Sequence, residues 1–309
     1  MLTNANMSSD QFSQMDPTGE VCLADPVMVE KAIQSILFRM FGENFDAALL
    51  ANAINDLVLA YRGDFPGLLR CDTLYHDLRH ALETGLTTAR LLDGHVKSFA
   101  SGKETEIIDA EHALLTVVLA LFHDIGMLRR ESEAHLWGPV LTPIHEERGV
   151  EFMKTYLART SLARLAEKSI LIMPTKLIFN IPATWNPEDR RLASIVATAD
   201  LISQLSDRYY LEKCRDFLFM EFGAFGLAGK VDSPYPDRET LLAKTPAFYS
   251  GIIQRRLEQE FQGVHRLLEV HTGGSNPWEE AIKRNLDFLE GILSTNDFSR
   301  LQRHPKTFI

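Results

Sequence analysis

The sequence predicts an almost wholly α-helical protein, a multi-helix bundle around one main core, and three observations lead there. Apolar residues recur at helical spacing in most segments between proline and glycine breaks. No stretch shows the sustained alternation of a half-buried strand, and residues 112–123 are apolar on nearly all sides, as befits a helix at the centre of a domain.

Residues 1–25 are polar and rich in Ser, Asn and Asp, with no basic segment leading into an apolar stretch, so they predict a flexible leader rather than a signal peptide. Asp25-Pro26 puts a capping side chain before proline at the first helical position, and residues 27–41 continue at helical spacing. A second helix over 45–61 sets Leu49, Leu50, Ile54, Leu57, Val58 and Tyr61 on one stripe. From His76 to about Leu92 the apolar pattern predicts a third, with His76 and His80 four residues apart on one face and His95 near its end. Residues 104–125 predict the central helix, with Gly126 placed to end it.

Residues 129–143, with Gly138, Pro139 and Pro143, predict a surface loop able to cover a site. Helical spacing resumes over 144–157, 161–172 and 188–218, the last two joined by a proline-containing segment. After Phe222, glycines and prolines mark an irregular connection to helices near 238–242, 245–270 and 278–293. The last two either cap the core or form a homodimer surface. The expected organisation is a leader over 1–25, a core over 26–222 and a helical extension over 223–309 packed on that core.

A formal charge of −10, from 32 basic and 42 acidic residues, argues against wrapping of nucleic acid by a broad basic surface. An anionic small molecule stays compatible, because a bound dication dominates the field of its pocket. Cys22, Cys71 and Cys214 are widely spaced, which indicates neither a disulfide framework nor a zinc–thiolate site and points to a reducing cytoplasm. The longest strongly apolar run, residues 113–122, is well short of the roughly 20 residues that span a bilayer as a helix, so no membrane association is expected.

The chemistry concentrates in Tyr75-His76-Asp77-Leu78-Arg79-His80-Ala81, in the adjacent His123-Asp124, and in Asp200 within Ala-Thr-Ala-Asp-Leu-Ile. Two imidazoles and two carboxylates can close around one ion, and their nitrogen and oxygen atoms suit hard or borderline metals. This order of His, His-Asp and a distant Asp on helices resembles the HD superfamily of metal-dependent phosphohydrolases, and Tyr-His-x-x-x-His-Ala resembles its cyclic-nucleotide phosphodiesterase branch. The motifs that carry the resemblance lie between Tyr75 and Asp200, and it implies an HD-domain core over 26–222.

The resemblance implies that His80, His123, Asp124 and Asp200 ligate a divalent ion (Mn, Fe, Ni, Co, Zn or Mg), one or two per chain, with Asp124 the bridging, catalytic carboxylate. It gives His76 the role of general acid, protonating the leaving oxygen, a role that a carboxylate behind the imidazole would support. His145, in His-Glu-Glu-Arg-Gly, resembles a second-metal histidine of other bacterial HD proteins, with Glu146 or Glu147 as further water ligands. Met127 and Glu83 stand where the phosphodiesterase branch has His and Asp, and Asp77 where it usually has Asn. Arg129 and Arg130, leaving the central helix at its ligand end, are the expected phosphate donors, and Gln204, one turn after Asp200, the expected base-binding amide.

The function implied is hydrolysis of a small phosphate ester, a nucleotide or cyclic nucleotide, by metal-activated water. A non-catalytic HD-fold nucleotide-binding or signalling protein is the alternative, and a di-iron oxygenase on a related core a more distant one.

Overall fold

The computed structural model describes residues 14–307, and among these there is no β-strand: eleven α-helices and short 3-10 and π segments make up the fold, with three isolated β-bridges. The all-α bundle predicted from periodicity is what forms. In chain order the helices are α1 (Pro26–Phe41), α2 (Ala47–Arg62), α3 (Leu78–Ala100), α4 (Ala110–Leu121), α5 (His145–Leu157), α6 (Pro187–Ser206), α7 (Tyr210–Lys213), α8 (Phe219–Ala224), α9 (Arg238–Phe248), α10 (Leu267–Thr272) and α11 (Pro277–Thr295).

Helix starts follow from side-chain capping. Asp25, Asp46, Asp77, Asp109, Asn186, Asp237 and Asn276 each accept a hydrogen bond from a backbone N–H of the first turn, satisfying donors with no partner inside the helix. Helix α3 runs through the middle and packs against α1, α4, α6 and α10. Every residue of α4 from Ala113 to Leu121 is buried, so its apolar surface is taken up on all sides by protein. The window Ala110–Met127 is long and apolar enough to cross a membrane by composition, with a mean hydropathy of 1.3, yet 83% of it lies buried in this core.

Several boundaries differ from the sequence expectation. Residues 1–13 of the expected leader lie outside the described residues, while 14–25 are folded onto the core: Leu23 is fully buried, Met15 bridges to Cys22, and Asp16 forms a buried ion pair with Arg90 of α3. Polarity suggested a free segment, but the partner that neutralises Asp16 is 74 positions away. Helix α3 begins at Leu78, so His76 precedes the cap instead of sharing a helical face with His80, and His95 sits well inside the helix. Helix α4 starts at Ala110, where Asp109 caps it, and ends at Leu121, before Gly126.

The helix expected over 161–172 is a 3-10 run, Ala163–Thr175, containing Pro174. The helix expected over 188–218 breaks after Ser206 and resumes as α7, the π segment Cys214–Leu218 and α8. The expected helix over 245–270 is likewise divided, by π segments Tyr249–Ile253 and Arg256–Glu260 and by a turn at Gln262, whose φ is 54°.

Candidate metal centre and its cavity

Four of the expected ligands are brought together by the start of α3, the end of α4 and the middle of α6. His80 comes from the first turn of α3, where the Asp77 cap accepts its N–H at 3.0 Å. His123 and Asp124 occupy the turn between α4 and the 3-10 turn Ile125–Met127. Adjacent residues diverge by about 100° on a helix, so leaving the helix is what allows both to face one point. Asp200 projects from the buried middle of α6.

Their donor atoms are at ligand spacing. His80 Nε2 is 3.2 Å from His123 Nε2 and 3.2 Å from Asp200 Oδ1, and His123 Nε2 is 3.5 Å from Asp200 Oδ1. Asp124 Oδ2 lies 3.1 Å from His123 Nε2 and 3.5 Å from His80 Nε2. Donors about 2.1 Å from a common ion stand about 3.0–3.5 Å from one another, so the separations of His80, His123 and Asp200 fit a single cation, with Asp124 Oδ2 beside both imidazoles. Asp124 Oδ2 is buried and faces the Nε2 atoms of both imidazoles, a negative oxygen aimed at the same point.

Tautomers favour the same use. The His123 Nδ1–H donates to the Ala120 carbonyl at 2.8 Å, directing Nε2 inward, and the His145 Nδ1–H donates to the Thr142 carbonyl at 2.6 Å. An imidazole anchored in this way presents its other nitrogen as a ligand. His145 Nε2 is 3.3 Å from Asp124 Oδ1, so His145 reaches the opposite oxygen of the carboxylate whose Oδ2 faces His80 and His123. Burial alone would depress the His123 pKa, but the carboxylates of Asp124 and Asp200 hold it well above its ordinary value. The buried negative charge that does this is the charge a dication would neutralise.

Two glycines permit the assembly. A Cβ on Gly126 would lie 1.9 Å from the His145 carbonyl oxygen, and one on Gly149 would lie 3.2 Å from the His123 carbonyl oxygen. The first turn of α5 can therefore press against the His123-Asp124 turn and bring His145 to Asp124. Arg148 fastens the contact, donating to the carbonyls of Gly126 and Leu128 while its guanidinium pairs with both oxygens of Glu133.

His76 faces this cluster from the segment before α3, its ring 6.4 Å from that of His80 and 6.2 Å from that of His145. Its Nδ1–H donates to Glu221 of α8 at 2.7 Å. Desolvation alone would lower the His76 pKa, but the carboxylates of Glu221 and Asp124 outweigh it and push it up to about 9.

The remaining expectations separate. Gln204 does line the site, but its Nε2 donates to Asp200 Oδ1 at 2.5 Å and its Oε1 accepts the Tyr75 hydroxyl at 3.1 Å, so it orients a ligand carboxylate. Arg129 and Arg130 are not brought to the site. Arg129 donates to the Leu136 carbonyl and pairs with Asp72, and the exposed Arg130 pairs with Glu151, because the chain turns away after Met127. Glu83 pairs with Arg79 in a buried cluster that also holds Asp207 and Lys213.

A cavity of about 500 Å³ opens from the donors, bounded by His76, Asp124, His145 and Asp200 at one end and otherwise mostly by apolar side chains of α6 to α9. Lys176 reaches it, paired with Glu147 at 2.6 Å, as does Glu146, whose buried Oε2 has no hydrogen bond. Glu221, Lys176 and the cavity walls are residues that sequence reasoning did not find. No local pattern marks them, since their relation to the donors is tertiary.

Residues 132–274 match the family model described as Npun_R2479-like. That span carries His145, Asp200, Glu221 and most of the cavity wall, while His76, His80, His123 and Asp124 precede it. No curated protein and no solved structure matches the chain.

Proposed function

We propose that this protein is an HD-type metal-dependent phosphohydrolase, acting on a small phosphate ester with water as the nucleophile. The observation that carries the reading is the convergence of His80, His123 and Asp200 at ligand spacing, with the buried Asp124 Oδ2 beside both imidazoles. A divalent cation bound there would supply Lewis acidity, lowering the pKa of a water and polarising a phosphoryl oxygen.

The chain's own groups do the rest. Gln204 fixes the rotamer of Asp200, and backbone carbonyls fix those of His123 and His145. His76, kept as imidazolium at neutral pH by Glu221, protonates the departing ester oxygen, and the proton passes from an N–H that faces the cavity. The Asp124–His145 pair offers a place for a second ion beside the first. Three free thiols, two of them buried, accord with a cytoplasmic protein.

The test is elemental analysis of the purified protein beside Asp124→Ala, followed by a phosphate-ester screen with Mn, Fe, Co, Ni, Zn and Mg. Near-stoichiometric metal that disappears in the variant, with phosphate release in the wild type, is the expected result. A metal-loaded protein that binds phosphate monoesters and diesters and cleaves neither would instead be a binding module.

A further inference from the structure

We infer that the phosphate ester taken by this site carries an alkyl chain rather than a nucleoside, an inference that rests on the phosphohydrolase reading and narrows its substrate. Beyond the donors the cavity of about 500 Å³ is walled by Leu201, Leu205, Leu218, Phe222, Tyr235 and Phe248, a size and lining suited to one apolar group. A purine and ribose placed there would bury ring nitrogens and hydroxyls, each needing a partner.

Most of the possible partners are already committed, the buried Glu146 Oε2 being the exception. Gln204 is the one side-chain amide among the described lining residues, and both of its ends are engaged, by Asp200 and by Tyr75. The three threonines of the wall, Thr142, Thr175 and Thr245, each donate their hydroxyl to a backbone carbonyl of their own segment. Of the two lysines, Lys176 is tied to Glu147, and Lys244 donates to the Pro234 carbonyl beside the Tyr235 ring. A single phosphate at the metal end asks for none of these groups; a nucleoside asks for several.

The mouth carries the same chemistry outward. Leu177, Ile178 and Leu227 line the cavity and are 46%, 83% and 37% exposed, an apolar rim whose surface a protruding chain would cover.

Alkyl phosphonates, whose carbon–phosphorus bond is not hydrolysed, separate binding from turnover. Isothermal titration of the full chain with Mn and butyl, hexyl, octyl or decyl phosphonate is expected to show affinity rising up to about fourfold per methylene until the cavity is filled. Ile178→Asp, at a position too exposed to threaten folding, should weaken the longest chains at least fivefold and leave butyl phosphonate unchanged, and Phe222→Asp, in the cavity wall, should weaken the whole series. An affinity that does not change with chain length, or AMP bound more tightly than octyl phosphonate, overturns the inference. Turnover of nucleotides together with a flat phosphonate series sinks this inference and leaves the hydrolase intact. A steep series with no cleavage of any alkyl phosphate upholds it and sinks the hydrolase.

Discussion

The imidazole of His76 and the carboxylate of Glu221 are joined at 2.7 Å across 145 positions of sequence, and the other oxygen of Glu221 accepts the Tyr75 N–H at 2.7 Å. The carboxylate thus holds both the ring and the backbone that carries it. Because the pair raises the His76 pKa to about 9, the imidazolium persists below that pH and is lost as pH rises through it. The stability it contributes is complete below the ordinary histidine value near 6.5 and disappears over the same rise.

In a pH–kcat profile the expected alkaline limb therefore belongs to His76. A dication at the neighbouring centre opposes the carboxylates and draws the limb below 9, but Glu221→Gln should move it lower still. An alkaline limb indifferent to Glu221→Gln would remove His76 from the role of acid. His76→Asn should cost about 10²–10⁴ in kcat for an alkyl leaving group and far less for 4-nitrophenolate, which needs no proton.

Metal binding should release protons. With the centre metal-free, Asp124 and Asp200 keep His123 protonated, and a cation must displace that proton. Affinity is expected to fall as pH drops, and titration calorimetry in buffers of different ionisation enthalpy counts the protons. His145→Ala should spare the first ion and weaken only a second, read as metal atoms per chain.

Gly126→Ala drives a methyl group into the His145 carbonyl, 1.9 Å from where its Cβ would stand. Backbone cannot yield as a side-chain tip can, so a loss of at least about 1–3 kcal/mol is expected in urea unfolding. Retention of a second ion should fall with it, because the α5 turn that presents His145 must move away from Asp124. Full stability in this variant would contradict the packing described.

Asp207 receives Arg79 at 2.8 Å and Lys213 at 2.7 Å, all three buried. Asp207→Ala would leave two cations without their shared anion, at a cost of about 3–5 kcal/mol, measurable by denaturant titration. Asp207→Asn, which keeps the shape and loses the charge, should be nearly as damaging if charge is what matters.

Arg130→Ala should leave kcat/KM unchanged and stability within about 0.5 kcal/mol, since its contact with Glu151 is an exposed pair. A hundredfold loss of activity would return this arginine to the phosphate.

Sequence alone determined the helical class, most helix starts and the candidate ligands. Periodicity and capping are local properties, written in residues three or four apart, and so the Asp25-Pro26 start is legible without a fold, while the His123-Asp124 pair is legible through its resemblance to the HD motif. The His145 motif was legible too, though not its meeting with Asp124, which depends on Gly126 and Gly149 letting two backbones touch.

Tertiary structure decided what surrounds those ligands. Charge near a motif in sequence suggested Arg129 and Arg130 as phosphate donors, but the backbone turns between Met127 and Leu128 and carries them away, while Lys176 arrives from a distant 3-10 run. Glu221 and much of the apolar wall come from segments after the Asp207 break, where no spacing rule links them to His76. A metal site needs a few strong ligands whose types are recognisable one by one. A substrate pocket is a shape made by many ordinary side chains, and ordinary side chains acquire that meaning only when the fold sets them side by side.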